Sequence, residues 1–115
     1  MAHVMVTTED GLVLAERVAV ADRFGLRLRG LALRPPPRPG GGLFLPRCNA
    51  IHTLGLRYAL DVVFLAADDR VVRIVRGVGP NRLVFGGRGA ASVLELPAGR
   101  LPPASPRPGE RLRLA

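Results

Sequence analysis

Short apolar runs, each closed by glycine, proline or an acidic turn, recur along the 115-residue chain and limit its fold more than any other feature. Segments of this length, at roughly 8–12-residue spacing, suit strands rather than helices. Residues 3–8 and 11–17 read as two strands joined through Glu9-Asp10-Gly11, where glycine accepts the positive φ of a tight hairpin. Leu43-Phe44-Leu45 reads as a short buried strand, and residues 48–57 as a connection. Residues 60–66 and 71–78 are apolar and β-branched, and Ala67-Asp68-Asp69-Arg70 between them has turn chemistry, so a central antiparallel hairpin is expected. Residues 83–85, 91–96 and 111–114 follow as further strands after the breaks at Gly79-Pro80-Asn81, Gly86–Gly89 and the proline-rich segment beyond Pro97.

One segment departs from this pattern. Between Ala21 and Leu33 the apolar positions Phe24, Leu28 and Leu31 follow helical spacing, with Asp22 near the start and Arg27, Arg29 and Arg34 toward the end. That charge order complements the helix dipole. The run Pro35–Gly42 then reads as a loop, because proline removes donors and glycine adds backbone freedom. The expected fold is therefore mainly β: a compact β-sandwich or partly closed barrel of seven to eight short strands, with one helix packed across an opening. At 12.3 kDa, residues 1–115 fit a single domain.

Composition excludes several function classes. The net charge is +8, yet all seventeen basic residues are arginines spread evenly through a chain rich in Ala, Gly and Pro, so a solvated basic surface accounts for them and nucleic acid is a disfavoured partner. A single cysteine rules out an intrachain disulfide and a closed Cys-rich zinc site. Gly86-Gly87-Arg88-Gly89 lacks the strand–loop–helix setting of a dinucleotide fingerprint, and no Walker-type motif exists, so no cofactor is expected. No window of eighteen apolar residues occurs, and MAHVMVTTEDG is not built like a signal peptide. For the chain as given, a cytoplasmic location is expected.

The densest cluster of reactive groups lies in Cys48–Leu65. Cys48 and His52 are four apart, so a helical turn would place them on one face as a thiol–imidazole pair. A metal would need Cys48, His52 and Asp61 together, which requires the loop to fold back on its following strand; no metal site is expected. Asp61 opens an otherwise apolar strand and is costly to bury without partners, for which Arg57, His52 or backbone amides are available. It either fixes the loop before the strand or, with His52, Thr53 and Arg57, lines a polar pocket for a small ligand. Glu95 poses the same problem: alternation puts it with Val93 and opposite Leu94 and Leu96, and Arg29 or Arg34 would pair with it.

Four blocks in order carry a family resemblance: Arg29-Gly30-Leu31-Ala32-Leu33-Arg34; Gly42-Leu43-Phe44; Ile51-His52-Thr53 leading to Leu60–Leu65; and Val93-Leu94-Glu95-Leu96-Pro97-Ala98-Gly99. Over about residues 15 to 114 the chain resembles the DUF192 (UPF0127) family. The resemblance implies a small, mostly β domain of barrel or sandwich type, found in bacteria and archaea, often encoded alone and sometimes exported. It brings no agreed activity. Many members resemble a Trp-Met-Lys-Asn-Thr version where this chain has Ala50-Ile51-His52-Thr53, so that aromatic is absent here. The reading that joins these observations is a non-enzymatic module binding a small molecule or a protein, with a recognition edge formed by Cys48, His52, Thr53, Arg57, Asp61 and Glu95. Its competitors are a hydrolase or other enzyme using His52 with Cys48 or Asp61, and a basic surface docking on a polyanion.

Overall fold

The computed structural model describes residues 2–21 and 37–115. Among these residues the chain is all-β, with strands β1 (His3–Thr8), β2 (Val13–Val20), β3 (Gly41–Pro46), β4 (Ala50–His52), β5 (Leu60–Leu65), β6 (Val71–Val78), β7 (Leu83–Phe85), β8 (Ser92–Pro97) and β9 (Leu112–Leu114). Seven of them form one mixed sheet in the order β6-β5-β8-β3-β2-β1-β9, and β4 and β7 form a separate ribbon. The large sheet curls until its two edges meet. Arg70 and Arg111 form an antiparallel bridge, the Val71 amide donates to the Glu110 carbonyl at 2.8 Å, and the Gly109 amide donates to the Val71 carbonyl at 2.7 Å. This is the partly closed barrel expected from the turn spacing.

The β1–β2 hairpin turns where expected, with Gly11 at φ 91° and the Thr8 hydroxyl accepting from the Leu12 amide at 3.0 Å while donating to the Asp10 carboxylate. β2 begins two residues later than the sequence reading placed it. A larger correction concerns β3, because Gly41 and Gly42 are strand residues rather than the end of a loop. They pair in parallel with Arg17 and Val18, and Leu43 and Phe44 continue the pairing with Ala19 and Val20. Glycine is required there by close approach: a Cβ on Gly42 would collide with Leu96 Cδ2 and lie 2.8 Å from the Glu95 carbonyl oxygen. Arg100 ties down the adjoining loop, its guanidinium donating to the carbonyls of Pro37, Arg38 and Gly41 at 2.7–3.2 Å. The helix expected over Ala21–Leu33 lies outside the described residues, except for Ala21, which is buried coil whose amide donates to Phe44.

Both faces of the central strands are covered. Alternation along β5 and β8 sends Val63, Leu65, Leu94 and Leu96 to one core, where they meet Val6, Leu14 and Val18 of the first hairpin. Leu60, Val62, Phe64 and Val93 go to a second core with Leu43 and Leu45, closed by Ile51 of β4 and Leu56. This explains why every residue of β5 and of β8 is buried. Burial on two faces is unusual for an antiparallel sheet, and it is achieved on the second face partly by the β4–β7 ribbon.

Candidate functional site

Among the described residues, the two buried carboxylates, Asp61 and Glu95, stand on opposite faces of the large sheet. Across the β5–β8 ladder Asp61 is opposite Leu96, and Val62 is opposite Glu95. Directly paired residues share a face, so Asp61 lies on the side of the first core and Glu95 on the side of the second. They do not converge on one cavity. Asp61, 3% exposed, accepts from the Gly77 amide at 2.9 Å through Oδ1 and from the Gly99 amide at 3.1 Å through Oδ2. Of the partners considered for it, backbone amides supply these contacts, and the carboxylate clamps the loop after β8 to a bulged end of β6, where Gly77 has φ 66°. Glu95 is 1% exposed. The arginines proposed for it, Arg29 and Arg34, lie outside the described residues.

Thr53 is fully buried, and its hydroxyl donates to the Gly79 carbonyl at 2.7 Å while accepting from the Arg82 amide at 2.8 Å. Its own amide donates to the Arg82 carbonyl at 2.9 Å, and its carbonyl accepts from Asn81 at 3.0 Å. One residue thereby fixes the whole 79–82 loop against the end of β4.

Cys48 and His52 do not share a helical turn. The segment is extended through β4, where four residues cover about 13 Å, against about 6 Å along a helix. The Cys48 thiol packs beside the second core and donates to the Ala50 carbonyl at 3.0 Å. His52 Nδ1 accepts from the Leu54 amide at 3.3 Å, so in the neutral ring Nε2 carries the proton. Arg57 is exposed in the following loop. Among the described residues, no group of three or more His, Cys, Asp and Glu side chains is placed to hold a metal ion. Two open grooves, of about 450 and 370 Å³, lie elsewhere, one lined by Thr7, Glu9, Asp69, Arg111 and Arg113 and the other by His3, Glu16, Arg17 and Arg38.

The ribbon itself contributes residues that sequence reasoning passed over. Its register pairs Ala50 with Phe85, Ile51 with Val84 and His52 with Leu83. Ile51 and Val84 turn inward to the second core, which leaves His52, Ala50, Leu83 and Phe85 together on the outer face. Leu83 is 64% exposed, Phe85 59%, and Leu54, just past His52, 59%. The signal was available: a three-residue strand Leu83-Val84-Phe85 with one buried face must expose either its centre or its two ends. Arg73 from β6 braces the ribbon by donating to the Phe85 carbonyl.

Comparison with known proteins places the chain. A UPF0127 protein of Thermococcus sibiricus (strain DSM 12597 / MM 739) is 34% identical over 99 residues, which are 83% of this chain and 64% of that protein. The chain therefore spans less than two thirds of the length of that curated relative. A crystal structure of a suggested transcription regulator from Sinorhizobium meliloti 1021 superimposes with a TM-score of 0.81 at 26% identity, covering 97% of this chain and 92% of that one. A protein of unknown function from Novosphingobium aromaticivorans DSM 12444 shares the fold, with a TM-score of 0.77 at 21% identity and coverage of 97% and 84%. The family model DUF192, described as Uncharacterized ACR, COG1430, matches residues 5–114, and the chain belongs to that family.

Proposed function

We propose that this chain is a non-enzymatic binding module whose recognition edge is the Cys48–Asp61 connection, with the outer face of the β4–β7 ribbon as its contact surface. One observation carries the reading: the ribbon's register gathers His52, Leu83 and Phe85 on one exposed face, while Leu54 extends it. Exposed large apolar side chains grouped around a hydrogen-bonding group are the usual make-up of a contact surface. Thr53 and Asp61 support the same reading from behind, because their hydrogen bonds to loop backbone hold the ribbon and its neighbouring loops in a fixed geometry. Such rigidity lowers the ordering cost of association. Arg57 is exposed in the loop after β4, Cys48 packs against the core beneath the ribbon, and Glu95 is buried on that same side of the large sheet.

The test is a titration of the protein with a set of small organic fragments, followed by amide chemical shifts. Perturbations are expected to gather at residues 50–54 and 82–86. Their gathering instead in the groove of Thr7 and Arg113, or nowhere, would defeat the proposal. Iodoacetamide separates it from a cysteine hydrolase: Cys48, half-buried and donating to Ala50, is expected to react no faster than free cysteine at the same pH.

A further inference from the structure

We infer that the occupant of the β4–β7 outer face is an acidic protein segment carrying apolar side chains. The inference rests on the proposed recognition face and adds the chemistry of its partner. Residues 37–60 and 70–94, which supply β4, β7 and the neighbouring β3 and β6, contain no aspartate or glutamate. They do contain the exposed arginines Arg47, Arg57, Arg73, Arg82 and Arg88. Arg82 directly precedes Leu83, and Arg73 reaches the ribbon at Phe85. Carboxylates on the described surface gather elsewhere: the Arg111 amide donates to Glu9, the Arg111 guanidinium lies 3.8 Å from Asp68, and Asp69 feels the same cation. Among the described residues the apolar face is thus flanked in the sequence by arginines and no carboxylate, and its complement is a partner bearing carboxylates between apolar anchors.

The net charge of +8 sets a second copy of this chain at a disadvantage as the source of that complement. A protein segment fits better than a lipid surface because the face carries an imidazole among its apolar groups. A polar side chain at that position has little to gain in a hydrocarbon boundary. It fits better than a nucleic acid because the face offers a single aromatic ring for stacking.

The experiment uses the full chain and fluorescence anisotropy with three labelled synthetic peptides: one alternating glutamate with leucine and phenylalanine, one with serine in place of the apolar residues, and one with lysine in place of glutamate. Phosphatidylserine vesicles and a single-stranded oligonucleotide are run alongside. The acidic apolar peptide is expected to bind at least about tenfold more tightly than either control peptide and more tightly than the other two probes. Leu83→Thr with Phe85→Thr, which keeps β propensity at exposed positions, is expected to weaken it by about tenfold or more with an unchanged circular dichroism spectrum. Arg82→Glu is expected to weaken it severalfold. Vesicles or oligonucleotide bound more tightly than the peptide, with that binding sensitive to the Leu83 and Phe85 changes, would overturn the acidic-segment inference and keep the face. Binding of any probe indifferent to both changes would overturn inference and face together. Equal affinity for the three peptides, or no binding by any probe, would overturn the inference, with the fragment titration still deciding the face.

Discussion

Replacing Asp61 with alanine removes an acceptor from two backbone amides at once. The carboxylate takes the Gly77 amide at 2.9 Å and the Gly99 amide at 3.1 Å, and it is itself 3% exposed. A hydrogen bond to a charged group contributes about 1.5–3 kcal/mol, giving an upper bound of about 6 kcal/mol for the pair. Two effects reduce that figure. Gly77 and Gly99 are exposed residues, so water can reach part of what the carboxylate leaves, and alanine also removes the cost of burying a charge. The expected loss for Asp61→Ala is about 2–4 kcal/mol, a large share of the roughly 5–15 kcal/mol available to a domain. Asp61→Asn retains one acceptor oxygen but turns an amide donor toward the other backbone N–H, so it too is expected to destabilise. Urea unfolding followed by circular dichroism measures the loss, and native-state hydrogen exchange localises it, with the Gly77 and Gly99 amides losing protection in the alanine variant. If Asp61 served only a ligand, Asp61→Asn would leave stability within about 0.5 kcal/mol of the parent. That result, with protection of both glycine amides intact, would refute the clamp.

Three further substitutions test other joints. Thr53→Val keeps the shape but strips the Gly79 carbonyl and Arg82 amide of their partner, with an expected cost of about 1–3 kcal/mol by urea unfolding, while Thr53→Ser retains both bonds and should recover most of it. Gly42→Ala places a methyl against Leu96 and the Glu95 carbonyl, an overpacked junction of β3 and β8 expected to cost about 1–3 kcal/mol or more in the same assay. Asp69 sits in a left-handed turn with φ 68°, and burial, followed by repulsion from Asp68, raises its pKa above the ordinary 3.8 despite the lowering effect of Arg111. The folded chain therefore holds this proton to higher pH than the unfolded chain, and stability falls as pH rises from 3.8 through the folded value. Asp69→Asn, which tolerates the same φ, is expected to raise stability at pH 7 by a few tenths of a kcal/mol, given solvent screening at this half-exposed site. Thermal melts should show that gain shrinking as pH drops below the carboxylate range, and a gain independent of pH would count against the charge explanation.

Strands announced by β-branched runs were legible in the sequence to within a residue or two. β1, β5, β6 and β7 fall where alternation and turn chemistry place them, and Glu95 alternates with Leu94 and Leu96 as expected. Pairing beyond the two hairpins, β1–β2 and β5–β6, was not legible. The parallel β2–β3 contact starts in glycines that read as loop, since a residue without a side chain carries no hydrophobic period; its strand role comes from Glu95 and Leu96 more than fifty residues away. β4 escaped because three residues, of which only Ile51 faces the core, make too short a pattern. At the site, the lone carboxylate in Leu60–Leu65 pointed to a structural anchor, but its partners are backbone amides of glycines at positions 77 and 99, which leave no mark in composition or spacing. The Cys48–His52 spacing misled for a definite reason: four residues bring side chains together only on a helix, and this segment is extended.

The same topology explains why the chemically active side chains of Cys48–Leu65 are occupied with structure. Both faces of β5 and β8 are buried, so the loops entering and leaving them must be held by groups that reach backbone N–H and C=O without water. Thr53 joins the end of β4 to the 79–82 loop, Asp61 joins β6 to the loop after β8, and the Ala98 amide donating to the Ala59 carbonyl at 2.9 Å links that loop to the approach to β5. Three loops are thereby cross-linked at one end of the barrel. A ribbon anchored inward by Ile51 and Val84 and fixed at its end by Thr53 has little freedom to rotate, so Leu83, Phe85 and His52 are presented in one arrangement. Polar residues in this segment thus act through position: their hydrogen bonds set the geometry of an exposed face formed by the apolar groups beside them.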